Sequence, residues 1–275
     1  MDIIQAIILG LVQAASEFVP ISSSGHLVLV PWLLGWPQPS LVFDTVVHWG
    51  TLVAVLIYFW RDFVALASAW GRSLASRNLD APDARIAWLI IVGTVPTALM
   101  GYVGEDLFES LLAAPAWVAG FLLVTGLVLA LGERLGQSRK EPHQLTFLDS
   151  IIIGIAQGCA IAPGISRSGA TMAAGLFCGL KREAAARYSF LLATPTIFGA
   201  GLQQLLDLFK TGNVAAHLPP LILGFLAAAI SGYLCIRFLL SYLQRGSLYV
   251  FAVYCWLAGG ASLLVAMLAT DLLTH

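Results

Sequence analysis

Glu17, Ser23, His26 and Arg167 have side chains able to do chemistry, and all four sit among apolar neighbours. The first three lie in Gln13-Ala14-Ala15-Ser16-Glu17-Phe18-Val19-Pro20-Ile21-Ser22-Ser23-Ser24-Gly25-His26. The fourth lies in Pro163-Gly164-Ile165-Ser166-Arg167-Ser168-Gly169-Ala170-Thr171. An ionisable group inside an apolar segment is costly and is a functional candidate by default. Gln13 and Glu17 are four apart, so on a helix they share a face. A carboxylate there can serve as a base, or a divalent cation can hold it ionised. Ser22, Ser23 and Ser24 supply hydroxyls, and His26 exchanges protons near neutral pH. In the second segment the glycines allow close backbone approach, and the N-terminus of the helix that follows offers free N–H groups to an anion. Arg167 adds a forked donor suited to phosphate oxygens, and Ser166, Ser168 and Thr171 add hydroxyl donors. The blander readings are a capped helix with a snorkelling arginine and a carboxylate near the membrane surface. Together these groups suit phosphoryl transfer, which needs positioning, charge neutralisation and a poised nucleophile.

The elements that position such groups must suit lipid. Of the 275 residues 59% are hydrophobic and 11% charged, against about 25% charged in a soluble domain. That excludes a soluble globular enzyme and, with so little charge, a disordered chain. The expected fold class is an all-α integral membrane protein. A net charge of −1 argues against a nucleic-acid partner. Cys159, Cys178, Cys235 and Cys255 lie in apolar stretches without a CxxC pair, and are expected to be buried thiols rather than a disulfide or zinc site. The apolar N-terminal stretch lacks a basic region and carries Asp2, so it is read as part of the fold rather than a cleaved signal.

Six stretches approach the length of about 20 apolar residues that a transmembrane helix needs: 43–60, 85–104, 115–133, 186–204, 218–240 and 249–271. Two more apolar regions, 3–36 and 148–180, are each broken by a Gly/Ser loop. Unpaired backbone cannot face lipid, so both read as re-entrant helix–loop–helix elements. Basic residues gather in 61–85 (Arg61, Arg72, Arg77, Arg85), in 134–147 (Arg134, Arg139, Lys140), at Lys181, Arg182 and Arg187, and at Arg237 and Arg245. The 105–114 connection carries Glu105, Asp106 and Glu109 and no basic residue. With basic loops in the cytoplasm, both termini lie outside.

The two broken regions also match each other. At a shift of 144, Ile7, Ile8, Gly10, Gln13, Ile21, Ser22, Ser24 and Gly25 meet Ile151, Ile152, Gly154, Gln157, Ile165, Ser166, Ser168 and Gly169. Residues 1–133 and 147–272 then form two halves, each a re-entrant element followed by three spans, and three spans invert the second half. Inverted repeats of this kind place a binding site near the midplane. The side chains differ: Glu17, Ser23 and His26 face Ile161, Arg167 and Ala170.

Both motifs closely resemble the signature motifs of the bacterial undecaprenyl-diphosphate phosphatase family, the bacitracin-resistance family. Phe43-Asp44-Thr45-Val46-Val47-His48-Trp49-Gly50-Thr51-Leu52 resembles its next segment. The resemblance implies hydrolysis of a C55 isoprenoid diphosphate to the monophosphate carrier of cell-wall synthesis, with resistance to bacitracin. It implies a site open to the periplasmic side of the cytoplasmic (inner) membrane, activity aided by a divalent cation, and often a homodimer; oxygen ligands suit magnesium or calcium, and the ion is expected to touch Glu17. By motif, Glu17 is the essential acid, Ser23 and His26 are the candidate nucleophile and proton-transfer group, and Ser166, Arg167 and Thr171 contact phosphate. The first position of the family's Glu/Gln-x-x-x-Glu motif is Gln13 here. An amide cannot be a base, so the acid–base duty of this helix falls on Glu17. The other reading is a transporter or flippase of isoprenoid phosphate, since broken helices and a midplane cation are also carrier features. A carrier would have no need of Glu17, Ser23 and His26 beside its arginine.

Overall fold

Capped apolar runs give eleven α-helices in the computed structural model, which describes residues 1–112, 115–136, 139–211 and 218–274, with side chains at 1–104, 115–136, 139–204 and 218–268. Among the described residues there is no strand, only an isolated bridge between Lys140 and Leu180. Helix α1 (Ile3–Phe18) starts where Asp2 and Gln5 cap each other through bonds of 2.8 and 3.1 Å. It stops before Pro20, which lacks an N–H and forces the preceding residue, Val19, into extended backbone. Helix α2 (Ser23–Leu34) starts afresh at the cap Ser22. Then come α3 (Leu41–Tyr58), α4 (Trp60–Ser76), α5 (Pro82–Leu112) and α6 (Pro115–Leu135). After a single 3-10 turn at Pro142–Gln144, α7 (Phe147–Cys159) and α8 (Arg167–Phe177) form the second hairpin, followed by α9 (Arg182–Thr211), α10 (Leu218–Leu243) and α11 (Tyr249–Thr274).

Among the described residues five helices are long and apolar enough to cross a membrane: α3, α5, α6, α10 and α11. The chain is a multi-pass, all-α membrane protein. The remaining expected span, 186–204, the fourth in chain order, lies in α9, which is long enough at 30 residues but too polar to join that group. Arg187, Tyr188, Ser189, Thr194 and Thr196 dilute its hydropathy. Its first half tolerates them because it packs on protein, against α3, α5 and α8, with Tyr188, Phe190 and Leu192 buried. Helices α1, α2, α7 and α8, at 16, 12, 13 and 11 residues, are too short to span. The second hairpin returns to the end it left: Cys178 Sγ lies 3.8 Å from the Asp149 carbonyl, and Lys140 and Arg139 donate to the Gly179 carbonyl.

The 61–85 connection is a helix for much of its length, not a simple loop. Helix α4 is amphipathic, and its charged face hides the period in composition alone. Ser73 accepts from Trp88 Nε1 at 3.0 Å, tying α4 to α5. Arg187 reaches Asp62 on α4 at 2.7 Å, Arg85 reaches the Leu145 carbonyl at 3.0 Å, and Arg182 pairs with Glu133, which also accepts from Leu248 N. The basic connections therefore gather at one end of the bundle. The acidic side chains of 105–114 lie outside the described residues. All four cysteines are free, but only Cys255 is buried and Cys159 is exposed, so the expectation of buried thiols holds for one of them.

Matched glycines set the packing of both hairpins. Helix α1 packs on α10 and α7 on α5. A Cβ at Gly10 would come within 2.5 Å of the Gly224 carbonyl oxygen, and one at Gly154 within 2.0 Å of that of Gly93. A backbone oxygen cannot move aside as a flexible side chain can. Gly154→Ala is expected to cost about 1–3 kcal/mol by overpacking. Gly71→Ala, in the open on α4 with nothing within 4 Å, is expected to be neutral or stabilising by up to about 1 kcal/mol. Thermal unfolding of the two variants in detergent checks the opposite signs.

Candidate active site

The two loops touch. A Cβ at Gly25 would lie 3.2 Å from Gly164 Cα. Each loop opens a helix with the same device: Ser22 Oγ accepts from Gly25 N at 3.3 Å, and Ser166 Oγ from Gly169 N at 3.0 Å. Ser22 holds a positive φ of 73°, the left-handed region, as its sharp turn demands. Thr125 on α6 clamps the second loop by donating to the Gly164 carbonyl at 2.9 Å and accepting from Ser166 N at 3.0 Å. Gly164 has φ 97°, and a Cβ there would strike the Val118 carbonyl at 2.3 Å. These bonds leave the N–H groups of Ser23, Ser24, Arg167 and Ser168 without a protein acceptor among the described residues. Two helix N-termini, each with spare donors, thus lie at the junction.

Glu17 joins the loops. Its Oε1 accepts from Arg167 Nη2 at 2.6 Å, and its Oε2 accepts from Ser23 Oγ at 2.5 Å and from Gln13 Nε2 at 3.3 Å. The carboxylate is 7% exposed and the Arg167 side chain 26%. A charge so buried needs a partner, and the guanidinium across the junction is it. Only Nη2 of the fork is committed to protein. The remaining Arg167 donors have no protein partner among the described residues.

Other expected residues face elsewhere. His26 Nδ1 donates to the Ser22 carbonyl at 2.7 Å, because a carbonyl can only accept. Its Nε2 therefore accepts from the Tyr254 hydroxyl, also at 2.7 Å, and the two rings stack at 5.7 Å. Thr171 Oγ1 donates back to the Arg167 carbonyl at 2.8 Å and meets Ser189 Oγ at 2.5 Å, so it braces the first turn of α8. Ser24 and Ser168 lie 3.4 and 3.3 Å from the capping hydroxyls Ser22 and Ser166.

The cation expected at Glu17 meets a poor donor set. Among the described residues no three His, Cys, Asp or Glu side chains converge on a point. Both oxygens of Glu17 are occupied, one of them by a guanidinium that would repel a cation. The unpartnered Gln13 Oε1 adds one neutral oxygen. A calcium or magnesium ion takes six or more oxygens, so these residues do not fit a resident metal.

Comparison with known proteins places the chain. Residues 6–261 match the family described as bacitracin resistance protein BacA. The chain belongs to that family. It is similar to an undecaprenyl-diphosphatase of Methanosphaera stadtmanae, 45% identical over 277 residues covering 97% of this chain and 99% of the relative. Relatives of the same name from Desulforudis audaxviator and Thermomicrobium roseum are 44% and 42% identical, with coverage of 98% of this chain each and of 99% and 100% of the relatives.

Sequence reasoning overlooked several groups of this BacA-family site. His48 Nε2 lies 3.8 Å from Glu17 Oε2. Tyr254 holds His26, Thr125 holds the second loop, and Ser189 backs Thr171. A signal existed for His48: Asp44 and His48 are four apart within an expected span, and both are ionisable. Thr125, Ser189 and Tyr254 are ordinary polar residues of helices, and only their contacts distinguish them.

Proposed function

We propose that this chain is a membrane phosphatase that converts undecaprenyl diphosphate into undecaprenyl phosphate and inorganic phosphate, returning a lipid carrier to cell-wall synthesis and conferring bacitracin resistance. One observation carries the reading: a single buried carboxylate accepts from the Ser23 hydroxyl and from Arg167 at once. Nucleophile, base and anion-binding group are thereby assembled at two helix N-termini. The names of the relatives support the substrate.

In this reading the diphosphate lies against the free donors of Arg167, Ser168, Ser23 and Ser24, with Ser166 and Thr171 shaping that turn, and the tail stays among the apolar helices. Gln13 holds Glu17 from its own helix, and Ser22 and Ser24 shape the first loop. Ser23 Oγ bonds to the terminal phosphorus as the bond from that phosphorus to the bridging oxygen breaks. The lipid monophosphate leaves with the electron pair, and the Ser23 proton passes to Glu17 Oε2. Water then attacks the phosphoserine, returns one proton to the serine oxygen and departs as hydrogen phosphate. His26, anchored by Ser22 and Tyr254, keeps the loop in register. We place the chain in the bacterial cytoplasmic membrane as a homodimer, with the site open to the periplasm and its two halves an inverted repeat. The packing of α1 on α10 and of α7 on α5 agrees with such an exchange between halves.

Protein purified in detergent is expected to release inorganic phosphate from a long isoprenyl diphosphate. Binding without release would overturn the reading in favour of a carrier. A magnesium or calcium ion, in this reading, is carried by diphosphate oxygens and water rather than by the chain. A chelator is therefore expected to slow turnover without lowering the melting temperature of the substrate-free protein. A fall in that temperature would mean that the chain itself holds a cation.

A further inference from the structure

We infer that His48 is the group that takes the proton from Glu17 during turnover. The inference rests on the phosphatase reading above and deepens it. His48 lies on α3, outside both loops, yet its Nε2 is 3.8 Å from Glu17 Oε2, the oxygen that accepts from Ser23. Its Nδ1 lies 2.7 Å from the Asp44 carbonyl oxygen. A carbonyl only accepts, so Nδ1 carries the hydrogen, and the Nε2 lone pair of the neutral ring is turned toward Glu17. Two acceptors then face each other across a gap about one ångström longer than a hydrogen bond. A proton arriving from Ser23 enters that gap. Protonating Glu17 discards its attraction to Arg167, so the guanidinium drives the proton onward. Once on Nε2 it makes an imidazolium beside a restored carboxylate.

The other histidine of the site is less suited to this duty. Both nitrogens of His26 are engaged, one by the Ser22 carbonyl and one by the Tyr254 hydroxyl. Among the described residues the Nε2 of His48 has no hydrogen bond. Its side chain is 27% exposed against 7% for Glu17. The charged groups facing the ring are Glu17 on α1 and its partner Arg167 on α8, and on its own helix the contact is the Asp44 backbone carbonyl. His48 acts through Glu17 and is in that sense a positioning residue for the proton.

The test is His48→Asn in the full-length protein in detergent. The asparagine amide N–H stands where Nδ1–H stood and can keep the bond to the Asp44 carbonyl, while Nε2 is deleted. The expected result is a kcat lowered about 10²-fold with KM within about threefold of wild type. The wild-type loss of kcat on the acid side, as His48 becomes protonated and can no longer accept, should be flattened in the variant. A second variant, His48→Ala, should regain part of its kcat when imidazole is added. Wild-type kcat and an unchanged pH profile in His48→Asn, or His48→Ala without imidazole rescue, would overturn the inference. If wild type itself released no phosphate, the phosphatase reading would fail instead, so the two failures are separable.

Discussion

Glu17→Gln is expected to lower kcat for phosphate release by about 10²- to 10⁴-fold, the usual worth of a positioned general base. The substitution keeps the side-chain volume and an oxygen within reach of Ser23. It removes the negative charge and the capacity to take a proton. Ser23 would still have a partner but no base, and the attacking oxygen would remain a neutral hydroxyl. Folding should survive, because the charge left over is that of Arg167, whose side chain is 26% exposed and whose other donors can be hydrated. Steady-state phosphate release beside a melting curve distinguishes the two effects. Activity within about threefold of wild type would remove Glu17 from the chemistry, since even a weak base contributes more than that.

Arg167→Met is expected to damage both stability and activity. It leaves Glu17, 7% exposed, as a buried charge with its partner gone, and breaking a buried pair in this way costs about 3–5 kcal/mol. It also removes the forked donor proposed to hold the terminal phosphate, so kcat/KM should fall by at least about 10²-fold. The double variant Glu17→Gln/Arg167→Met separates the two effects. With both charges absent the melting temperature should recover most of its loss, while activity stays at the level of the worse single variant. If Arg167→Met alone melts like wild type, the ion pair does not hold the two loops together. If it also hydrolyses substrate normally, the phosphate site lies elsewhere.

Much of this architecture was legible in the residues because lipid is a strict solvent. Backbone that cannot find water must close its hydrogen bonds within helices, so a Gly/Ser break inside an apolar run has few interpretations. The breaks lie at 19–22, between α1 and α2, and at 160–166, between α7 and α8, and the rest of each expected loop, up to Gly25 and Gly169, is the first turn of the following helix. Helix α9 and helix α4 were harder for one shared reason. Hydropathy assumes that apolar surface means lipid, whereas α9 hides polar residues against protein and α4 packs one face on α5 while carrying its charges on another.

The chain by itself determined which residues carry reactive atoms, that two matched hairpins present them, and that Glu17 and Arg167 sit where charge needs a partner. Composition and spacing suffice for that, because burying a charge or breaking a helix in an apolar segment leaves a local mark. Only the tertiary structure decided that the partner of Glu17 is Arg167, 150 positions away at 2.6 Å. It alone turned His26 toward Tyr254 and brought His48 up to the carboxylate. Contacts between distant helices are settled by backbone approach, here at Gly10 against Gly224 and Gly154 against Gly93. A glycine in a sequence does not say which other backbone it will meet.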